Sequence, residues 1–480
     1  MPELTYRPAS ELSPFPDGQS ALSPERIEAL EQADCRHLWK PFTQMAGHME
    51  ERPLIMRDAR GNWLRDIRGR AFLDGVSSLW VNVHGHNHPT IVSALKEQLD
   101  RLDHSTLLGP SNMPAAMLAA RLVELAPGSG TLSRVFYSDS GSTAVEIAVK
   151  MAYQYFAQHR DESKRSRNVF VSMTNAYHGD TLGSVSVGGI DLFHQVYAPL
   201  LFETVQAPGP DPYHAAFGGS VEEHEDQCLA ALGEQLDRHE GRVAALIMEP
   251  LMQGAAGMIA HTPRFLEAAA ALARSAGALL ILDEVATGFG RTGTMFACEQ
   301  AGVVPDLLCL AKGISGGVLP LAATMATEEV HAGFLGEHSE YRTFFHGHSY
   351  TGNPLACTAA LASLRVFREE GVMENVRARV AQLAERLDMI GQHPHVGDIR
   401  RHGLMTGIEL VRDKATGAPF EGKLRVGHRV IERALSFGVL IRPLGDVVVL
   451  MPPLSITSDE LDLLTGVVLA CIDEVTGEVV

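Results

Sequence analysis

The sequence predicts an α/β fold: a large domain on a mostly parallel, doubly wound sheet, followed by a smaller α+β domain. Three observations predict it. The runs VAALIME, ALLILDE and DLLCLAK are continuously apolar, as strands buried on both faces must be. The stretch SRVFYSDSGSTAVEIAVKMAYQYF reads as a strand, a small-residue turn and a helix, with Ala144, Ile147, Ala148, Met151, Ala152 and Tyr155 at helical spacing. From about Gly371 the pattern changes to mixed strands and helices. GDIRRHGLMTGIELV is strand-like, VGHRVIERALSFG helical, VLIRPLGDVVVLMPPL a hairpin, and a capped helix starts at Ser458.

Bulk properties narrow the function. A chain of 480 residues exceeds one simple core. The expected division is an N-terminal arm (1–35), a segment packing with the small domain and the active site (36–80), a large domain (81–355) and a small α+β domain (356–480). The net charge of −18 argues against an extended nucleic-acid surface. No apolar run is long enough to span a bilayer. The six cysteines form no Cys-x-x-Cys pair, so they read as thiols in a reducing compartment, which fits a cytoplasmic protein. The Pro- and Ser-rich N-terminus has no apolar signal core and reads as a flexible or partner-draped arm.

In chain order, Ser23 caps a short helix, and HLWKPFTQM is either a packing anchor or an arm reaching the active site. PLIMRDARGNWLRDIRGRAFLDG gives short antiparallel strands with turns at Arg60-Gly61 and Arg68-Gly69. Trp80 precedes a turn, where it lines a substrate channel or fills the core. His84, His86 and His88 alternate, yet a Gly-, Asn- and Pro-rich turn suits caps better than a metal site. The SDSGS turn before a helix offers free N–H groups and a dipole to a phosphate, or forms an ordinary cap. Tyr177 ends another strand, where an aromatic can stack on a flat ring. The run from Ala207 to Gly219 reads as a surface loop.

Asp283 and Lys312 sit at the ends of two strands, where open α/β sheets bind ligands. The lysine is a phosphate-neutralising charge or a Schiff-base amine, and the acid suits a protonated ring nitrogen. Pyridoxal phosphate needs both. GFGRTG matches a dinucleotide fingerprint in spacing, but no long helix follows it. Arg442, between a strand and a turn, either clamps a carboxylate or is solvated.

DEVATGFGRTG followed by LAKGISGG resembles the signature of class III pyridoxal-phosphate aminotransferases. The resemblance runs from about Arg36 to the C-terminus. Within that class, HLWKPFTQM, DGVSSLWVNVHGHNHP, FYSDSGSTAVEIAVKMA, YHGDT, HGHSYTGNPLAC and IRPLG are similar to the biotin-pathway branch, which acts on 8-amino-7-oxononanoate. The resemblance implies a fold-type I transferase with pyridoxal 5′-phosphate as cofactor, working as a homodimer with shared sites. It implies that Lys312 takes the cofactor aldehyde and Asp283 pairs with the ring nitrogen. Gly141 and Ser142 hold phosphate, with His348 and Ser349 of the other chain. Tyr177 stacks on the ring and meets substrate. Phe42, Trp80 and Gly347 line the substrate site, and Arg442 takes a carboxylate. Relatives using S-adenosylmethionine carry tyrosine where Phe42 stands and often a Trp-Trp pair at Leu79-Trp80, so the resemblance points to L-lysine as donor. The rivals are a class III enzyme acting on ω-amino acids or diamines with pyruvate, and a non-catalytic cofactor-binding regulator. The regulator is expected to lose the lysine or gain a DNA-binding segment, and the sequence does neither.

Overall fold

A computed structural model of the chain describes residues 4–15, 21–50, 52–215 and 220–479. Its centre is a seven-stranded sheet in the order Arg134–Ser138, Ala322–Ala326, Leu307–Leu310, Leu279–Asp283, Val243–Met248, Val169–Met173, Val205–Ala207. The strands from Leu307–Leu310 to Val205–Ala207 pair in parallel, and Ala322–Ala326 runs antiparallel to both neighbours. Val243–Met248 and Leu279–Asp283 are buried at every position, which is why they read as unbroken apolar runs. Each fully buried aliphatic side chain there contributes about 1.5–3 kcal/mol. The register sets Asp283 opposite Cys309, so Lys312 lies three residues beyond that pairing on the same edge of the sheet.

The helix Gly141–Ala157 follows the edge strand Arg134–Ser138 and buries Ala144, Ala148, Ala152 and Tyr155 in a cluster that includes the sheet residues Ile281 and Cys309, and Ile147 is buried as well. Its polar face carries Lys150 and Gln154, which bond His346 (2.9 Å) and the Thr343 carbonyl (3.1 Å).

Two smaller sheets flank this layer. Met56–Arg60, Trp63–Asp66 and Ala71–Asp74 pair antiparallel, and Val439–Leu440 joins their edge in parallel. Val396–His402, Met405–Leu410, Val447–Leu450 and Arg442–Leu444 form an antiparallel sheet, which contains the expected hairpin. Trp63 Nε1 and Asn62 Nδ2 donate to Glu460 at 2.7 and 2.8 Å, tying the first of these sheets to the C-terminal helix Ser458–Val479.

The N-terminus differs from expectation. Residues 4–15 dock on their own chain. Leu4 is buried, Tyr6 packs against Gly466, and Arg7 pairs with Asp459 at 2.9 Å. Gly466 leaves no room for a side chain there, so the Tyr6 ring can lie flat on the C-terminal helix and bury apolar area. Residues 1–3 and 16–20 of the expected arm lie outside the described residues. Ser23 caps its helix, accepting from Arg26 N, but the helix runs Pro24–His37 and crosses the expected boundary at residue 35. In the expected loop 207–219, Pro212–Ala215 is a short helix, and 216–219 lie outside the described residues. Among the described residues no helix is long and apolar enough to cross a membrane.

Candidate active site

Asp283 closes its strand with its carboxylate buried. Oδ1 accepts from Val285 N at 3.0 Å, and Oδ2 bonds His178 Nδ1 at 2.7 Å. Lys312 opens the short turn Lys312–Ser315 with φ at +40°, in the left-handed region that favours glycine. Both residues line one cavity of about 710 Å³, together with Trp80, Gly141, Ser142 and Tyr177. The Lys312 amine lies 5.0 Å from the centre of the Trp80 ring. Burial pushes that amine below the ordinary lysine value, while Asp283 and Glu249 oppose the shift.

Glu249 reaches the cavity just past its own buried strand, as Asp283 does at the end of the neighbouring one. Its oxygens accept from the N–H groups of Tyr177 and Gly254, each at 3.0 Å. Burial pushes its carboxyl up to about 7. The Tyr177 hydroxyl donates to Asp180 at 2.8 Å, and burial raises the phenol well above its usual range. His178 Nε2 is buried with no hydrogen-bond partner among the described residues.

Gly141 and Ser142 enter the cavity at the start of a helix. Ser140 and Thr143 form a reciprocal capping box at the start of Gly141–Ala157. The N–H groups of the first turn have no intrahelical acceptor, and the helix dipole favours negative charge there. A Cβ on Gly141 would fall 2.5 Å from Val285, and one on Gly179 (φ +118°) 2.4 Å from Ser142. Only glycine lets these backbones approach so closely. The Ser142 hydroxyl accepts from Thr181 N and bonds the Thr181 hydroxyl, both at 2.9 Å, and Thr181 donates to Glu146 at 2.7 Å.

Trp80 is presented by a strained turn. Ser77, Ser78 and Trp80 all have positive φ (53°, 60° and 65°), each costing about 1–2 kcal/mol. The buried Asp74 offsets this, accepting from Val76 N (3.2 Å) and Ser78 N (2.8 Å) while bonding His86 (2.9 Å). Arg291, also buried, donates to the carbonyls of Asn82 (3.1 Å) and Pro452, and to Ser77 Oγ (3.3 Å). Burial pushes its guanidinium down to about 10.

The fold thus brings Lys312, Asp283, Tyr177, Gly141, Ser142 and Trp80 together. It does not bring in the remaining candidates within one chain. Phe42 and Arg442 line a neighbouring groove of about 580 Å³. Gly347, His348 and Ser349 line a third cavity of about 1170 Å³. His348 Nδ1 bonds Asp139 Oδ2 at 2.6 Å, and Asp139 lines the lysine cavity. His84, His86 and His88 turn to three separate partners, Ser363, Asp74 and Glu370. The GFGRTG loop leads only into the five-residue 3-10 helix Ala297–Ala301, so it opens no dinucleotide site. Sequence reasoning left His178, Glu249 and Thr181 without roles. Their signals were present: YHGDT carries two of them, and Glu249 ends VAALIME as Asp283 ends ALLILD.

A buried lysine amine, a strand-end carboxylate and an N–H cup suit a planar group with an electrophilic carbon, a basic ring nitrogen and an anionic tail. The model of the aminotransferase class-III family matches residues 45–472. The chain is 54% identical to the adenosylmethionine-8-amino-7-oxononanoate aminotransferase of Nitratidesulfovibrio vulgaris, over 94% of this chain and 83% of that protein. It superposes on the crystal structure of the protein so named from Methanocaldococcus jannaschii with a TM-score of 0.87 at 43% identity, covering 93% and 99% of the two chains. An (S)-enantioselective omega-transaminase from Thermomicrobium roseum superposes equally well, with a TM-score of 0.88 at 34% identity, covering 93% and 98%. With the family model matching most of its length and a relative at 54% identity, the chain belongs to the class-III aminotransferase family and is a pyridoxal-phosphate-dependent transaminase.

Proposed function

We propose that the chain transfers an amino group to 8-amino-7-oxononanoate, giving 7,8-diaminononanoate for biotin synthesis, from S-adenosylmethionine or L-lysine. The observation that carries this reading is the groove of Phe42 and Arg442, lined by Val76 and Ser78 of the turn whose Trp80 and Val81 line the lysine cavity. A nine-carbon keto acid has its reacting carbonyl near one end and its carboxylate at the other. A lysine cavity beside an arginine groove suits that separation, and the names of the relatives agree.

The residues fit pyridoxal 5′-phosphate. Gly141 and Ser142 would take the phosphate through N–H groups, Asp283 would hold a proton on the ring nitrogen, and Lys312 Nζ would take the aldehyde. Tyr177 would lie against the ring. When bound, the group supplies an electrophilic carbon and an electron-withdrawing ring. Lys312 Nζ would be the base that takes the α-proton of the bound amine and the acid that delivers it to the carbon that had carried the aldehyde oxygen. The lowered lysine value keeps more of that amine neutral near neutral pH. His178 fixes the Asp283 carboxylate through the 2.7 Å bond. Trp80, whose ring centre lies 5.0 Å from the amine, would limit the access of water to it.

In a homodimer, Gly347, His348 and Ser349 would complete the partner's phosphate and substrate site. Residues 36–80 would link the small domain to the active site. The six free thiols suit a cytoplasmic location.

For the donor, Phe42 lacks the hydroxyl that S-adenosylmethionine users carry, and Leu79 lacks the second indole. Both favour L-lysine. The experiment is a donor panel with 8-amino-7-oxononanoate as acceptor. Diaminononanoate formed with lysine, in ping-pong kinetics, is the expected result. Formation with S-adenosylmethionine alone overturns the donor. No product with either, alongside transfer from diamines to pyruvate, favours the omega-transaminase reading that the Thermomicrobium structure represents.

A further inference from the structure

We infer that Arg425 is a second carboxylate-holding arginine, acting with Arg442 to bind the far end of the acceptor. The inference rests on the acceptor proposed above and adds a specificity-determining residue to it. Both arginines line the same groove of about 580 Å³ and are exposed to it and to solvent. Among the described residues neither has a carboxylate partner, although the chain carries 58 acidic residues against 40 Lys and Arg. Among the described residues no Asp or Glu lines the groove. Its histidines are already engaged: His48 bonds Asp34 at 3.0 Å and His428 bonds Glu432 at 3.2 Å. Two arginines on one groove without a carboxylate partner among the described residues, in a chain of net charge −18, favour an anion there.

The rest of the groove suits an alkyl chain. Ile431, Leu435 and Leu440 form an apolar wall, with Phe42 at the rim. Val76 and Ser78 line this groove, while Trp80 and Val81 line the lysine cavity, so the same short turn borders both spaces. A substrate with a reacting carbon at one end, methylenes between and a carboxylate at the other would span them. One arginine can clamp a carboxylate through two hydrogen bonds, and a second adds charge without needing the same plane.

The test compares Arg425→Ala, Arg425→Lys and wild type as cofactor-loaded full chains. Acceptors are 8-amino-7-oxononanoate and its methyl ester. For Arg425→Ala, KM for the free acid should rise about tenfold or more, the size of a lost charge-assisted hydrogen bond. The ester KM, kcat and the donor half-reaction should stay near wild type, and lysine at 425 should restore part of the loss. Equal losses for acid and ester, or a fall in kcat at unchanged KM, would overturn the role. A second measurement is independent of turnover: calorimetric binding of octanoate and of octanol. Arg425→Ala should weaken octanoate selectively. Unchanged octanoate binding overturns the inference even if wild type proves inactive on 8-amino-7-oxononanoate, an outcome that would count against the proposed function instead.

Discussion

At the scale of single residues, the cavity is controlled by groups whose charge burial has shifted. Glu284 follows Asp283 directly but serves the scaffold. It accepts from the N–H groups of Ala297 and Cys298, both at 2.8 Å, and from Thr287 at 3.1 Å. Burial nevertheless pushes it up to about 7 from an ordinary 4.5. A folded-state value above the unfolded one means that the folded state binds the proton more tightly. The resulting stabilisation is full below about 4.5 and is lost as pH rises through about 7. Unfolding free energy from urea titrations at pH 5 and pH 8 should therefore fall with pH. Glu284→Gln should be less stable at pH 5, since an amide cannot accept from both N–H groups, but its pH slope should be flatter. An equal slope in both proteins would show that Glu284 does not titrate in this window.

At the scale of elements, the turn from Asp74 to Trp80 holds the most strain near the site. Three residues other than glycine occupy the left-handed region, and one buried carboxylate holds the turn closed. Asp74→Ala would leave buried N–H groups and His86 without their acceptor. The expected loss is about 3–5 kcal/mol, the range for breaking a buried charged network, read as a drop in the urea midpoint. Because the turn also sets Trp80 over Lys312, cofactor binding is expected to quench indole fluorescence in the wild type and not in the variant. A variant that loses stability but keeps that quenching would show that Asp74 braces the fold without positioning Trp80.

At the scale of the whole molecule, one chain holds the lysine cavity while Gly347, His348 and Ser349 sit in a separate one. If two chains share each site, two different inactive variants should complement each other. Lys312→Ala lacks the amine, and Ser349→Asp sets a negative charge against the phosphate. Refolding the two together should give sites with an intact Lys312 from one chain and an intact Ser349 from the other. Turnover and cofactor absorbance should reappear in the mixture. Their absence, with mixed dimers present by light scattering and mass spectrometry, would place the whole site within one chain.

What could be read from the sequence is whatever follows from local order. A buried parallel strand must be apolar throughout and must end where polar residues begin, so ALLILD and LLCLAK located Asp283 and Lys312 at the edge of a sheet. The SDSGS turn and its helix were legible because capping and 3.6-residue periodicity are properties of consecutive residues. Folding decided the rest, because it depends on residues far apart in the chain. Nothing local joins His178 to Asp283, 105 residues on, or sets Phe42, Arg425 and Arg442 around one groove. The N-terminal residues read as a loose polar arm because their binding partner, the bare face of the last helix at Gly466, lies at the other end of the sequence. The positive φ angles of Ser77, Ser78 and Trp80 left no mark in composition either, since serine and tryptophan adopt them only when packing and a buried carboxylate hold them there.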